Sequence, residues 1–104
     1  VKGMLEKASY LRAEKLAESK DYAKAAKEFE GYATSYKGSE LANAARYKAA
    51  QNYEKAGDAS NAIRMHGMVL TAPSNDPKVK AIQNDSRNDM ARLSSQTGQL
   101  EQAA

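Results

Sequence analysis

The chain has 104 residues, 16 of them basic and 13 acidic, for a net charge of +3, which is one domain's worth of sequence with a modest core. Cysteine is absent, which excludes disulfides and thiolate metal sites, and no apolar run approaches the ~18 residues of a membrane span. Charges of both signs are interspersed, 11 basic with 9 acidic in residues 1–60 and 5 with 4 in residues 61–104, so no basic stripe argues for nucleic acid.

Alanine and lysine lead the composition with glutamate and leucine also common, β-branched residues are scarce, and both prolines fall between residues 73 and 77, so the expected fold is all-α. The first helix is read from about Lys2 to Ser19, with Leu5, Ala8, Leu11 or Arg12, and Leu16 as its apolar stripe. Asp21 caps a second helix running to about Tyr36, whose buried stripe is Ala25, Ala26, Phe29, Tyr32, Ala33 and Tyr36. Lys37-Gly38-Ser39 then stops one helix and starts the next, with Gly38 expected in the left-handed conformation and Ser39 as N-cap. A third helix follows to about Ala56, its face built from Leu41, Ala42, Ala45, Ala49, Ala50 and Tyr53, mostly small residues that permit close helix approach.

Gly57-Asp58 is the next break. The fourth helix carries Ala62, Ile63, Met65, His66, Val69 and Leu70 and stops before Ala72-Pro73. Asp76 caps a fifth helix with Pro77 at its first position, a polar stretch with Val79, Ile82, Met90 and Leu93 as its apolar residues, closed by Thr97-Gly98. Gln99 to Ala104 reads as the start of a sixth. Gly31 and Gly67, inside the second and fourth helices, cost about 1 kcal/mol each relative to alanine, and suggest either close helix crossing or tolerated surface positions.

One phrase recurs: Lys20-Asp21-Tyr22-Ala23-Lys24-Ala25-Ala26, Gly57-Asp58-Ala59-Ser60-Asn61-Ala62-Ile63, and Gly98-Gln99-Leu100-Glu101-Gln102-Ala103-Ala104. Its copies stand 37 and 41 residues apart, within the range of stacked helical arrays. The pairs divide the chain into residues 2–38, 39–75 and 76–104, the third incomplete. With Val1 where a methionine would initiate, the chain reads as a piece of a longer protein.

These pairs resemble tetratricopeptide repeats. The matching residues are Ser9, Arg12, Ala13, Leu16, Ala25 and Phe29 in the first unit, with Lys37 in the place of a proline. The second unit supplies Arg46, Ala49, Ala50, Tyr53, Ala62 and His66, with Pro73 near the expected position. The third supplies Arg87, Met90, Ala91, Ser94 and Ala103. In this resemblance Ala13, Ala50 and Ala91 face a partner helix at short range, and the fold is an α-solenoid of stacked antiparallel pairs, five helices plus a truncated sixth. The run from Phe29 through Tyr36-Lys37-Gly38-Ser39 to Ala42, Ala45 and Tyr47 is similar to the Tyr-Pro-x-Ser-x-x-Ala pattern of bacterial envelope repeat proteins, such as outer-membrane assembly lipoproteins and periplasmic partners of the Tol-Pal system. That implies a periplasmic or envelope-associated protein, with the cytoplasm as the alternative.

The resemblance also implies a concave face lined by the first helix of each pair. Its candidate contacts are Lys7, Tyr10 and Glu14, then Tyr47, Gln51, Glu54 and Lys55, then Asn88 and Arg92. Tyrosine and arginine favour Tyr10, Tyr47 and Arg92 as anchors, against the alternative that the tyrosines pack between helices. The family's carboxylate-clamp positions correspond to Tyr10, Glu14, Lys48, Asp85 and Asp89, and three acids there argue against a carboxylate tail on this face.

No set of nucleophile, base and orienting group is present, so an enzyme is not expected, and no cofactor is implied. His66 is the lone histidine and reads as a packing residue, with a ligand or switch role as alternative. Glu14 and Glu18 lie one turn apart without the further oxygens a hard cation requires, so no metal is expected. Lys24 with Glu28, and Lys27 with Glu30, read as surface pairs. The expected function is a non-catalytic scaffold that binds a peptide or helix of a partner protein. The alternatives are a structural or oligomerising array segment, self-associating through its C-terminal helices, and a weakly basic RNA-binding domain.

Overall fold

The computed structural model describes residues 2–72 and 76–103. Five helices follow one another, α1 Lys2–Glu18, α2 Tyr22–Ser35, α3 Ala42–Lys55, α4 Ala59–Thr71 and α5 Pro77–Ala103, and no strand occurs among the described residues. Successive helices are antiparallel, as their contacts show: Arg12 meets Glu28 while Glu6 meets Tyr32, and His66 meets Ser86 while Val69 meets Gln83. Alternate helices run the same way, with Tyr47 meeting Asp89 and Glu54 meeting Arg92. The result is a stack of helix pairs forming a slab of 52 × 33 × 18 Å.

The repeated phrase forms the same turn twice. Lys20 and Gly57 both adopt positive φ, 64° and 84°. In each turn that residue's N–H reaches back three residues, to the carbonyls of Ala17 and Glu54. The following aspartate's N–H reaches back five, to Leu16 and Tyr53, completing a Schellman closure. Asp58 then accepts from the N–H of Asn61 and caps α4. Left-handed backbone strains a lysine and suits a glycine, so Lys20→Gly is expected to stabilise the fold by about 1 kcal/mol, raising the urea midpoint. An unchanged or lower midpoint would contradict this account of the turn.

The third copy makes no turn. α5 continues through Thr97 and Gly98 to Ala103, so the expected sixth helix is absent and its residues extend the fifth. Two differences explain this. Gln99 stands where Asp58 supplies a short N-terminal acceptor, although Asp21 heads α2 without the side-chain cap bond expected of it, and the residues after Gly98 offer nothing like Phe29 or Met65 to pack back on the preceding helix. One glycine costs a helix about 1 kcal/mol, which does not by itself end it.

The other caps divide similarly. Asp76 Oδ1 accepts from the N–H of Lys78 at 2.9 Å, with Pro77 opening α5 as expected, and Ala72 ends α4 in an extended conformation ahead of Pro73. Gly38, by contrast, is not left-handed, and α3 begins at Ala42 rather than directly after Ser39. Ser39 instead links the loop to the core: its Oγ accepts from the N–H of Leu41 and bonds the Tyr32 hydroxyl at 2.8 Å.

Alanines fill the helix seams, with Ala13, Ala25, Ala26, Ala45, Ala49, Ala50 and Ala62 all buried, and this lets large side chains concentrate in one place. Tyr10 meets both Phe29 and Tyr32 edge-on, at 5.5 and 5.3 Å between ring centroids. Met65, Val69 and Leu93 continue the buried interior toward α5. At Gly67 an added Cβ would lie 3.4 Å from Met90 Cε, an ordinary contact with the end of a flexible side chain, and Gly31 faces open space.

The stripe expected for α1 is corrected. Leu5 and Leu11 are 59% and 56% exposed and Ala8 is also exposed, whereas the half-buried Leu16 packs on the core as expected, joined by Tyr10, Ala13 and Ala17. Both stripes have helical spacing, but only Tyr10 with Ala13 offers a large ring beside a small residue to fit Phe29 and Tyr32. Ala91, unlike Ala13 and Ala50, is exposed and faces no helix among the described residues.

Candidate partner-binding face

The first helices of the pairs, α1, α3 and α5, lie side by side and are joined by polar contacts across one face. Lys48 Nζ donates to Glu14 Oε2 at 3.2 Å, joining α3 to α1. The Tyr47 hydroxyl donates to Asp89 Oδ2 at 3.4 Å, and Arg92 Nη2 bonds Glu54 Oε1 at 2.8 Å with Asp89 Oδ1 at 3.6 Å, joining α3 to α5. Tyr47, Glu54 and Arg92 therefore belong to one network, with Asp89 as its centre. Burial first, and then the charge of Asp89, hold the Tyr47 hydroxyl above its ordinary value, so it remains a donor.

The nine candidate residues separate on this face. Gln51, one turn from Tyr47, is exposed, as are Lys7 on α1 and Asn88 and Arg92 on α5, while Glu14, Tyr47 and Glu54 are half-buried. Tyr10 is buried within the aromatic cluster and roofed by the Lys48 ammonium, 4.8 Å from its ring centroid. Lys55 turns toward the start of α2, its ammonium 5.4 Å from the Tyr22 ring. Burial lowers the proton affinity of Lys48, but the Tyr10 hydroxyl and Glu14 outweigh it and hold the ammonium above its usual range. The face is thus a mixed-charge surface over an aromatic floor.

The opposite face carries the most completely built ion pair. Arg64 holds Glu30 with two bonds, Nη1 to Oε2 at 3.0 Å and Nη2 to Oε1 at 2.9 Å, and the Tyr53 hydroxyl donates to Glu30 Oε1 at 2.6 Å. Three helices meet there. Arg64 holds the Glu30 carboxyl below its ordinary value, while burial and then Glu30 push Tyr53 up to about 12. The expected pairs within α2 are replaced: Glu28 pairs with Arg12 across to α1, Glu30 with Arg64, and Lys24 approaches Asp21.

Between the faces lies His66, fully buried. Its Nδ1 is 2.9 Å from Ser86 Oγ, and its Nε2 is sealed and without a hydrogen-bond partner among the described residues, 4.0 Å from Asp89 Oδ2. Serine, histidine and aspartate are adjacent, with Ser86 and His66 both closed to solvent. Ser86 was not among the residues named from the sequence; the signal that could have found it is its place at helical spacing within the stripe Val79, Ile82, Met90, Leu93.

Glu14 is used by Lys48, and no cluster of three or more potential metal ligands occurs among the described residues. No described helix is long and apolar enough to cross a membrane. Comparison with protein-family models, with curated proteins and with solved structures finds no match to this chain.

Proposed function

We propose that this chain is a tetratricopeptide-like interaction module that holds a peptide or helix of a partner protein against the face formed by α1, α3 and α5. The observation that carries the reading is the row of bonded groups crossing three parallel helices, the half-buried Glu14, Lys48, Tyr47, Asp89 and Glu54 ending on the exposed Arg92. Groups already ordered by mutual bonds lose little further freedom on binding, and mixed charge over aromatic rings suits a partner segment of mixed composition. The resemblance of the segment from Phe29 to Tyr47 to envelope repeat proteins is the ground on which the periplasm or cell envelope is the proposed compartment.

The test is site-specific photo-crosslinking in cells that produce the protein, with the reactive residue at exposed Gln51 on this face or at exposed Thr34 on α2. Adducts from position 51 that Tyr47→Ala with Arg92→Ala abolishes, and none from position 34, are expected. Adducts of equal strength from both positions would remove the assignment.

A second reading, a structural or oligomerising segment, is favoured by the exposed Leu5 and Leu11 of α1. Light scattering separates the two, because a monomer at high concentration excludes self-association.

A further inference from the structure

Two of the leucines that sequence spacing assigns to the buried stripe of α1 lie instead on its outer side. A shallow trough of about 540 Å³ runs along that side, lined by Ala8, Leu11, Arg12, Lys15, Leu16 and Ser19. Leu11 is 56% exposed, and Leu5, one turn before Ala8 and 59% exposed, prolongs the apolar surface. None of the nine inner-face candidates lines the trough.

The fold repeats this face, and there a helix is seated on it. A step of 37 residues carries the buried Ala13 onto the buried Ala50, and carries the trough onto Ala45, Lys48, Ala49, Asn52, Tyr53 and Ala56, along α3. α2 covers that stripe from edge to edge. At one edge the Lys48 ammonium stands 5.8 Å from the Phe29 ring, and at the other the Tyr53 hydroxyl donates to Glu30. Ala45, Ala49 and Asn52, which lie between those edges around the helix, are buried.

Three differences between the two stripes set the chemistry that an occupant of the α1 trough must meet. Leu11 stands in the place of Lys48, which makes the α1 side the more apolar at that edge. Arg12 and Lys15 stand in the places of Ala49 and Asn52, and put two cations one turn apart on the wall. Arg12 gives its Nε to Glu28 at 3.2 Å, while Lys15 has no ion-pair partner among the described residues, and no carboxylate lines the trough.

We propose that this trough seats an acidic amphipathic helix of a partner protein, lying against α1 as α2 lies against α3. Its aliphatic stripe meets Ala8, Leu11 and Leu16, and its carboxylates meet Arg12 and Lys15. A second copy of the chain supplies no such helix. Its exposed large apolar side chains on helices, among the described residues, are Leu5 and Leu11 of this same cationic face and Met68 of α4, a helix without a carboxylate. A lipid surface would also meet leucines and cations, but a concave trough at the repeat of a helix seat fits a rod better than a plane. The inference uses none of the inner-face residues and stands whether or not a partner docks there.

The test is NMR titration of ¹⁵N-labelled protein with three synthetic helical peptides that share one alanine and leucine stripe. On the flank of that stripe they carry two glutamates one turn apart, two glutamines, or two lysines. Saturable shifts of the α1 amides between Ala8 and Ser19 are expected with the glutamate peptide, at an affinity about fivefold above the glutamine peptide and further above the lysine peptide. Leu11→Ser should lower that affinity about tenfold, and Lys15→Glu should erase the preference for glutamate over glutamine. Both positions are exposed, so both variants keep the fold. No saturable shift with the glutamate peptide, equal binding of the three peptides, or unchanged affinity in Leu11→Ser would overturn the proposal. Pelleting with phosphatidylglycerol vesicles in place of a response to the glutamate peptide would overturn it in favour of a lipid surface. A dimer in light scattering that Leu11→Ser dissolves would overturn it in favour of a second copy.

Discussion

Replacing Phe29 with alanine is expected to destabilise the protein by about 3–5 kcal/mol, the range for emptying a buried aromatic site. Phe29 is 1% exposed, stacks edge-on with Tyr10 and lies beneath Lys48, whose ammonium is 5.8 Å from its ring centroid. Its surroundings include the backbone-close alanines Ala13, Ala25, Ala26, Ala49 and Ala50, which are too short to swing into a vacated space. A cavity there stays largely open, and the cost falls at the upper end of the range. For a chain of this size the melting temperature should drop by more than about 10 °C, while Phe29→Leu, which keeps most of the volume, should cost less than about 1.5 kcal/mol. Similar losses from the two variants would show that the ring is not packed as described.

The same residue illustrates what was readable in the sequence and what was not. Phe29 could be assigned to the interior of α2 because the stripe around it has no rival on that helix. On α1 two stripes compete, and the one richer in leucine is the one left outside. The choice depends on Tyr10 fitting between Phe29 and Tyr32, a match between residues 19 and 22 positions apart that local periodicity does not contain. Boundaries behave alike. Asp58 and Asp76 act through bonds spanning two or three residues and were legible, as was Gly57. Gly98 resembles Gly57 in sequence, but the outcome there depends on whether the following residues have something to pack against.

Polar contacts were the least legible part. Sequence spacing proposes Glu28 and Glu30 as partners of lysines on their own helix, yet a partner on a neighbouring helix wins when it is an arginine that can hold both carboxylate oxygens, as Arg64 does. The inner face follows the same rule: Tyr47, Glu54 and Arg92 were each nameable, while the fact that Asp89 joins them emerges only when α3 and α5 are placed side by side.

Acidification from about pH 7.5 to 5.5 should weaken the fold through His66. The groups around the ring are Ser86, Asp89 and Arg92 from α5 and Tyr47 and Glu54 from α3. Burial holds the ring below its ordinary value of 6.5, with Asp89 and Glu54 opposing and Arg92 assisting. Above the unfolded value both states are neutral and the full stability is present. As pH falls through that value the unfolded chain takes up a proton that the folded chain refuses, and stability is lost at up to about 1.4 kcal/mol per pH unit until the folded ring is itself protonated. Urea midpoints at pH 7.5, 6.5 and 5.5 should therefore decline for the natural chain and stay nearly level for His66→Gln, in a window above the range where most carboxylates titrate. A natural chain that gains stability over the same range would mean that the protonated ring pairs with Asp89, 4.0 Å away, strongly enough to overcome burial. That second outcome reaches the face formed by α1, α3 and α5, because Asp89 also receives Tyr47 and Arg92 there, so a proton on His66 changes the partners of the residue at the centre of the network.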